Sequence, residues 1–454
     1  MQLVWSPVLD ANIKKSPTEL NKELCKILFL SGVKGDTRRY RTFHPYEQLR
    51  LAGVDCQLSH ITDPRLPDKA NQAGLVILHR IAMDRYVESL LAGWQQRGAM
   101  VILDVDDLVF DPHAFQWINS PDFADRMRSS LYQEEMHRQR LVFDACQAVI
   151  ASTDFLAMFV RQQNKPVWVH RNAFSLEMLS RAEAAVSRRQ VNPGRIIIGY
   201  ASGTPTHDGD FALVKPALKN ILQQHPQVEV WVIGPLDPGS DWGILAQRIR
   251  RLPLVPWRIL PEYLVQFDIN LAPLAADNPF AQSKSEIKYM EAALVRVPTI
   301  ASPTDAYRFA IRPGENGYLA STASEWEQVL ALLIEQPDHR RIIGEEAYSQ
   351  VQQSYHPEVR SAELISTINQ ISLNLLGTPF WRNDLNGQPE SKTRTGPSFP
   401  KDFCIDPELE RNPTLAKRAF YSIRYRGIRT LFIQIWTYFR RLFAPIFPFK
   451  AARD

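Results

Sequence analysis

The sequence predicts an α/β protein built as two doubly wound, parallel-sheet domains of the Rossmann type, followed by a helical tail. Three observations carry that expectation. Short apolar runs recur through residues 26–170 with helical patterns between several of them, the alternation of a parallel sheet. The alternation restarts at Arg195, where Arg195-Ile196-Ile197-Ile198-Gly199-Tyr200-Ala201-Ser202 has the β-branched character of a central strand. A chain of 454 residues, 45% hydrophobic, can also bury two sizeable cores.

Composition narrows the setting. Cys25, Cys56, Cys146 and Cys404 lie far apart in no metal-ligand or Cys-x-x-Cys spacing, which suits reduced thiols of a cytosolic protein. The first residues lack the basic start and apolar run of a signal peptide, and no stretch reaches the roughly 18 uncharged apolar residues of a membrane span. A net charge of +4 hides an asymmetry. Residues 411–454 hold ten Lys and Arg against one acid, leaving 43 basic and 48 acidic residues before them, a balance of −5.

In chain order, residues 1–23 are a polar lead-in and residues 24–180 the first domain. Its opening strand, residues 26–32, runs into a loop with Gly32, Gly35, Lys34, Arg38, Arg39 and Arg41, and a helix is expected from about residue 45 to 52. Cations at the carboxyl end of a strand suit an anionic ligand, so Gly32 and Arg41 are cleft candidates; solvated loop arginines are the plainer alternative. Further strands are expected at 55–61, 74–81, 99–105, 148–151 and 167–170, with helices at 86–97 and 123–146. Two polar groups follow strands: His79-Arg80, and Asp104-Val105-Asp106-Asp107. Arg80, Asp106 and Asp107 could face a cleft, or cap helices and make structural hydrogen bonds; a metal is the least favoured reading of the Asp104-x-Asp106 pair.

The charged, then Pro- and Gly-broken stretch 175–193 is the expected hinge, and residues 190–350 the second domain. Ser202, Gly203 and Thr204 follow its first strand and could offer N–H groups and hydroxyls to a diphosphate at the start of a helix over 210–224. His207 either joins them or hydrogen-bonds at the helix start. Residues 228–234 form the next strand, ending at Gly234. Residues 269–274 and 298–302 then frame a helix that Ser283 or Ser285 could cap. At about 100° per residue, Ile287, Met290 and Leu294 share an apolar stripe, with Lys284, Lys288 and Glu291 beside it. Two cations at a helix N-terminus suit a phosphate, and a carboxylate one turn on suits sugar hydroxyls; a solvated Lys/Glu face fits the same spacing.

The elements Glu291-Ala292-Ala293 and Val297-Pro298-Thr299-Ile300-Ala301-Ser302 resemble the signature of the large retaining family 4 of GT-B glycosyltransferases. The Ser202-Gly203-Thr204 to Asp210-Phe211 segment is similar to the nucleotide-sugar domain of a polysaccharide-assembly subset. The resemblance spans roughly residues 25–376 and is more specific in the second half. It departs at Ser283, where the family carries a first glutamate, and near Gly203, where better-known members have an Arg and a Lys that hold the pyrophosphate. It implies two domains facing one cleft and transfer of a sugar from a nucleotide sugar with retention, without cofactor or obligatory metal. It further implies that Lys284 and Lys288 supply the charge on the diphosphate, that Glu291 holds ribose hydroxyls and that Asp106 orients the reacting sugar or acceptor. Gly234 and Trp257 would lie near the base. The acceptor would be a polysaccharide, lipid-linked or other cell-envelope glycan. A sugar-nucleotide epimerase and a non-catalytic scaffold share the frame.

Residues 351–376 would form the helix that crosses back to the first domain, and 377–413 a linker rich in Pro, Gly, Ser and Asn. In 414–454, Ile428, Leu431, Phe432, Ile435, Trp436, Phe439 and Leu442 keep helical spacing opposite Arg426, Gln434 and Arg441. That pattern suits a helix lying on an anionic membrane, where each basic residue adds about 1 kcal/mol; docking on protein is the alternative. No nucleic-acid motif accompanies the charge. The expected location is cytoplasmic or peripheral on the inner face of the membrane.

Overall fold

The computed structural model describes residues 26–190, 194–204 and 207–381. It contains two six-stranded sheets, every pairing parallel. The first holds β1 (Lys26–Ser31), β2 (Cys56–His60), β3 (Ala73–His79), β4 (Met100–Val105), β5 (Ala148–Ala151) and β6 (Val167–Val169) in the order β2-β1-β3-β4-β5-β6. The second holds β7 (Ile196–Ala201), β8 (Val228–Ile233), β9 (Ile249–Leu252), β10 (Ile269–Ala272), β11 (Thr299–Ala301) and β12 (Tyr318–Leu319) in the order β12-β11-β10-β7-β8-β9. The direction of strand progression reverses between β1 and β3, and again between β7 and β10. At such switch points neighbouring loops diverge and leave a crevice at the carboxyl ends of the strands.

Helices cover both faces. After β1 come α1 (Asp36–Arg38), a π-helical turn at Arg39–Phe43 and α2 (His44–Leu51); α3 (Leu66–Gln72), α4 (Arg85–Gln96), α5 (Arg126–Ala145) and α6 (Asp154–Arg161) complete the first domain's crossovers. Then follow α7 (Leu176–Ser187), α8 (Asp208–Gln224), α9 (Leu260–Leu264), α10 (Pro279–Gln282), α11 (Ile287–Leu294), α12 (Asp305–Ala310), α13 (Ala323–Glu335), α14 (Pro337–Tyr355) and α15 (Pro357–Leu376). Because both faces of each sheet are covered, central strands are apolar almost throughout; β4 is buried at all six positions.

Leu364, Ile368 and Ile371, at the 4- and 3-residue steps of one helical stripe, pack with Ile27, Phe29 and Phe43 of the first domain. Helix α15 therefore returns to the first sheet after the second is complete. Three such fully buried side chains are each worth about 1.5–3 kcal/mol, enough to hold the crossing helix in place.

Several local expectations shift. The helix expected from about residue 45 begins at Asp36, so the loop arginines 38, 39 and 41 are on it and buried. Met178, Ala182 and Ala185 of α7 pack with Ile197 and Trp231, which places this helix, inside the stretch read as a hinge, in the second domain's core. Helix α13 is capped by Thr322 with Glu325, a reciprocal capping box. The edge strands β9 and β12 were not anticipated: Ile-Arg-Arg-Leu and Tyr-Leu are too short or too charged to stand out. The lead-in, the linker from 382 and the basic tail 414–454 lie outside the described residues. No helix among those described is long and apolar enough to cross a membrane.

Candidate functional site

In the second domain the site begins where β7 ends. Ser202 is buried; its N–H donates to Ile233 O at 2.9 Å and its hydroxyl to Thr204 O at 2.8 Å, which fixes the turn carrying Gly203 and Thr204. Gly234 lies against it with φ +103, and a Cβ there would sit 1.9 Å from Ser202 O. Only glycine fits that backbone conformation and that approach. Gly203 and Thr204 remain exposed at the crevice.

His207 precedes α8, and its Nδ1 lies 2.8 Å from Asp210 Oδ2. Burial outweighs this carboxylate, and with Lys288 and Lys284 nearby holds the imidazole pKa down at about 4. The ring is therefore neutral at physiological pH. Asp210 accepts from Ala275 N through its other oxygen, at 3.0 Å, tying α8 to the loop after β10.

A parallel crossover makes α11 start at the carboxyl end of β10, so its positive end faces the crevice. Its N-cap is Glu286, not Ser283 or Ser285, and Lys284 stands in the turn before the helix rather than on its stripe. Lys288 is on the first turn. Its ammonium donates to Ala201 O at 2.6 Å and lies 5.1 Å from the Tyr200 ring centroid. Burial lowers its pKa to about 8 despite the pull of Glu291 and Asp210. One turn on, Glu291 accepts from the Tyr40 hydroxyl at 2.5 Å, with an Arg39 nitrogen 3.7 Å away. Burial raises its pKa against the opposing effect of Arg39 and Tyr40. Trp257, half-buried, lies under the Arg39 guanidinium at 4.5 Å.

The first domain supplies the facing wall. Gly32 donates to His79 O at 3.0 Å, and a Cβ on it would meet Arg80 O at 2.3 Å, so the exit of β1 is pressed onto that of β3. Arg80, itself in the left-handed region at φ 52, donates to Asp106 at 2.7 Å and to Asp107 at 3.4 Å. Burial opposes ionisation of Asp106, yet Arg80 and His79 outweigh it and hold this carboxyl well below the usual range. Asp106 is thus engaged by its own domain. Asp107 reaches across: it accepts from Ser283 Oγ at 3.1 Å and from Lys284 Nζ at 3.4 Å.

The placement of Arg41 corrects its reading as a cleft cation. Its side chain is 1% exposed and forks onto both Asp104 oxygens at 2.7 Å, while its third nitrogen donates to His170 O and Asn172 Oδ1. The guanidinium is spent inside the first domain. Asp104 and Asp106 accordingly face different guanidinium groups rather than one shared cation. Among the described residues no three His, Cys, Asp or Glu side chains are grouped to hold a metal.

Lys284, Lys288, His207 and Glu291 thus gather with the Ser202–Thr204 turn, and Asp107 meets them from the other side. Arg39, Tyr40, Asn172 and Ser283 were missed as groove residues. Arg39 was visible only as part of a basic cluster, and Asn172, which donates to Ser285 Oγ at 2.7 Å, carried no signal at all.

Comparison with known proteins agrees with this layout. Residues 213–366 match the model of a family described as glycosyl transferase-like. No curated protein matches the chain by sequence. Among solved structures, the glycosyltransferase of Rickettsia africae has a TM-score of 0.53 at 13% identity, covering 78% of this chain and all of its own. Sucrose-phosphate synthase of Thermosynechococcus elongatus gives 0.51 at 14%, over 77% of this chain and all of its own. HepE of Anabaena in complex with UDP and glucose gives 0.50 at 15%, over 76% and all of its own. Identities this low speak to fold. The architecture is GT-B: two Rossmann-like domains, with the glycosyl transferase-like match falling mainly in the second.

Proposed function

We propose that the protein is a glycosyltransferase that moves a sugar from a nucleotide-sugar donor to a polysaccharide, lipid-linked or other cell-envelope glycan, with retention at the anomeric carbon. The observation that carries the reading is that Lys288, on the first turn of α11, donates to Ala201 O where β7 runs into the Ser202–Thr204 turn, with Lys284 near enough to His207 to help depress its pKa. In transfer, the bond from the anomeric carbon to the diphosphate oxygen breaks and one to the acceptor oxygen forms. Negative charge grows on the departing diphosphate, and pre-placed cations and backbone N–H groups stabilise that charge without reorganising, the effect that is usually largest. Neutral His207, its Nδ1–H given to Asp210, leaves Nε2 to accept from a sugar hydroxyl, while Glu291 takes ribose hydroxyls and Trp257 the base. Asp107, the first-domain carboxylate that reaches the groove, joins Asp106 as a candidate for orienting sugar or acceptor. The reading needs no metal or cofactor. HepE holds UDP on the same frame, which makes uridine diphosphate sugars the first donors to try.

The basic stretch 414–454 would hold the enzyme on an anionic membrane surface at the cytoplasmic face, beside a lipid-linked acceptor. The test is a panel of nucleotide sugars, each followed for thermal stabilisation and for release of nucleoside diphosphate with and without glycan acceptors. One donor raising the melting temperature and being consumed supports the reading. Exchange of the donor sugar's own stereochemistry without acceptor would make the protein an epimerase, and silence across the panel would leave it a scaffold.

A further inference from the structure

We propose that Arg39 and Tyr40 of the first domain occupy the places that the second domain offers to the nucleoside of the donor, so that the nucleotide must displace them to bind. The proposal rests on the donor-site reading above and adds to it a built-in competitor.

Three features carry it. The Tyr40 hydroxyl donates to Glu291 Oε1 at 2.5 Å, the charge-assisted O–H to carboxylate contact that a ribose hydroxyl would make. The Arg39 guanidinium, flat and edged with donors, lies 4.5 Å from the Trp257 ring centroid, where a base could stack, and 4.4 Å from the Tyr40 ring centroid. Both residues come from the first domain yet are 3% exposed, and Tyr40 packs inside the second domain's core with Phe174, Met178, Tyr289 and Met290. One short segment therefore places a base-like plane and a ribose-like hydroxyl on the two residues, Trp257 and Glu291, that a nucleoside would use.

Only the front of the segment, up to Tyr40, is what the nucleotide would shift, because Arg41 behind it is anchored on Asp104. Arg39–Phe43 forms a π-helical turn, a rare geometry that recurs at functional sites, between the three-residue α1 and α2. Ahead of it Lys34, Gly35 and Asp36 are exposed. The partner that Arg39 has on its own segment, Asp36 at 3.4 Å, is itself two-thirds exposed and holds the arginine weakly. A competitor of this kind lowers apparent nucleotide affinity by the fraction of molecules in which it is withdrawn.

The experiment uses the full chain with UDP, GDP and ADP, measuring affinity by calorimetry and amide exchange across residues 36–43. The proposal expects the nucleotide that binds to increase exchange in this segment, and Tyr40→Phe, which keeps the ring packed but loses the hydroxyl, to bind it about tenfold more tightly. Arg39→Met, whose side chain can still pack beside Met178, should act in the same direction. Nucleotide binding that leaves 36–43 unchanged or more protected, or that weakens in Tyr40→Phe, overturns the competitor and leaves the donor site standing. No binding of any of the three to the wild type or to either variant removes the donor-site reading and the competitor together.

Discussion

Ser283 and Asp107 meet across the groove between the domains, the serine hydroxyl donating at 3.1 Å to an aspartate that also faces Lys284. The serine is fully buried, and its single O–H is shared between Asp107 and Phe280 O, the latter at 2.7 Å. A carboxylate at position 283 would be forced against that of Asp107 in a space sized for a hydroxyl. Ser283→Glu, the change that would bring the chain closer to the family 4 pattern, should therefore cost about 2–3 kcal/mol in urea unfolding. Ser283→Ala should cost about 1 kcal/mol for the lost hydroxyl donor. A glutamate variant as stable as the wild type would contradict this packing.

Gly234, pressed onto Ser202 at the carboxyl ends of β7 and β8, is where this region tolerates least. Its φ of +103 and the 1.9 Å approach that a Cβ would make to Ser202 O leave no room for alanine. Gly234→Ala should lower the melting temperature by several degrees, an effect of about 2 kcal/mol or more, and should weaken nucleoside diphosphate binding in calorimetry.

Arg41 is predicted to matter for folding rather than for acceptor choice. Removing it leaves Asp104 buried without its bidentate partner, a loss of about 3–5 kcal/mol. Arg41→Ala should show this in denaturant midpoint, and whatever folds should keep the acceptor preference of the wild type in a competition assay.

Lys288 sets a pH dependence of two signs. Its native pKa of about 8 lies below the ordinary lysine value. Between about pH 8 and the unfolded value the unfolded chain holds the proton that the native chain has lost, so this group makes stability rise with pH in that window. His207, held at about 4, acts likewise lower down: stability falls as pH drops from the ordinary histidine range towards 4, because only the unfolded chain takes up the proton. Diphosphate binding, which uses the charged lysine, should instead weaken as pH rises through 8. Calorimetry at pH 7 and pH 9.5, with Lys288→Arg losing the difference, checks the second sign.

Much of the frame was legible because buried parallel strands are apolar runs: Ile196 to Ala201 and Met100 to Val105 have no other reading. The clustering of Lys284, Lys288 and Glu291 followed from helical spacing, although Lys284 proved to lie one turn ahead of the helix. Arg38, Arg39 and Arg41 looked like exposed loop cations because their partners are remote in sequence: Asp104 and Asn172 for Arg41, Met178 and Glu291 for Arg39. Local pattern carries no information about a buried ion pair closed over sixty residues or more. The same holds for Asp107, whose partners Ser283 and Lys284 come from the second domain.

The central claim is that a nucleoside diphosphate sits at the carboxyl ends of β7 and β8 with its phosphates between Lys284, Lys288 and the start of α11. The direct measurement is calorimetric titration of the full chain and of Lys284→Gln and Lys288→Gln with the nucleoside diphosphate released by the best donor, thermal unfolding being recorded for each. The account predicts saturable binding to the wild type, at least tenfold weaker in each variant, since a charge-assisted contact is worth about 1.5–3 kcal/mol, with folding retained. Equal affinity in wild type and both variants would contradict it.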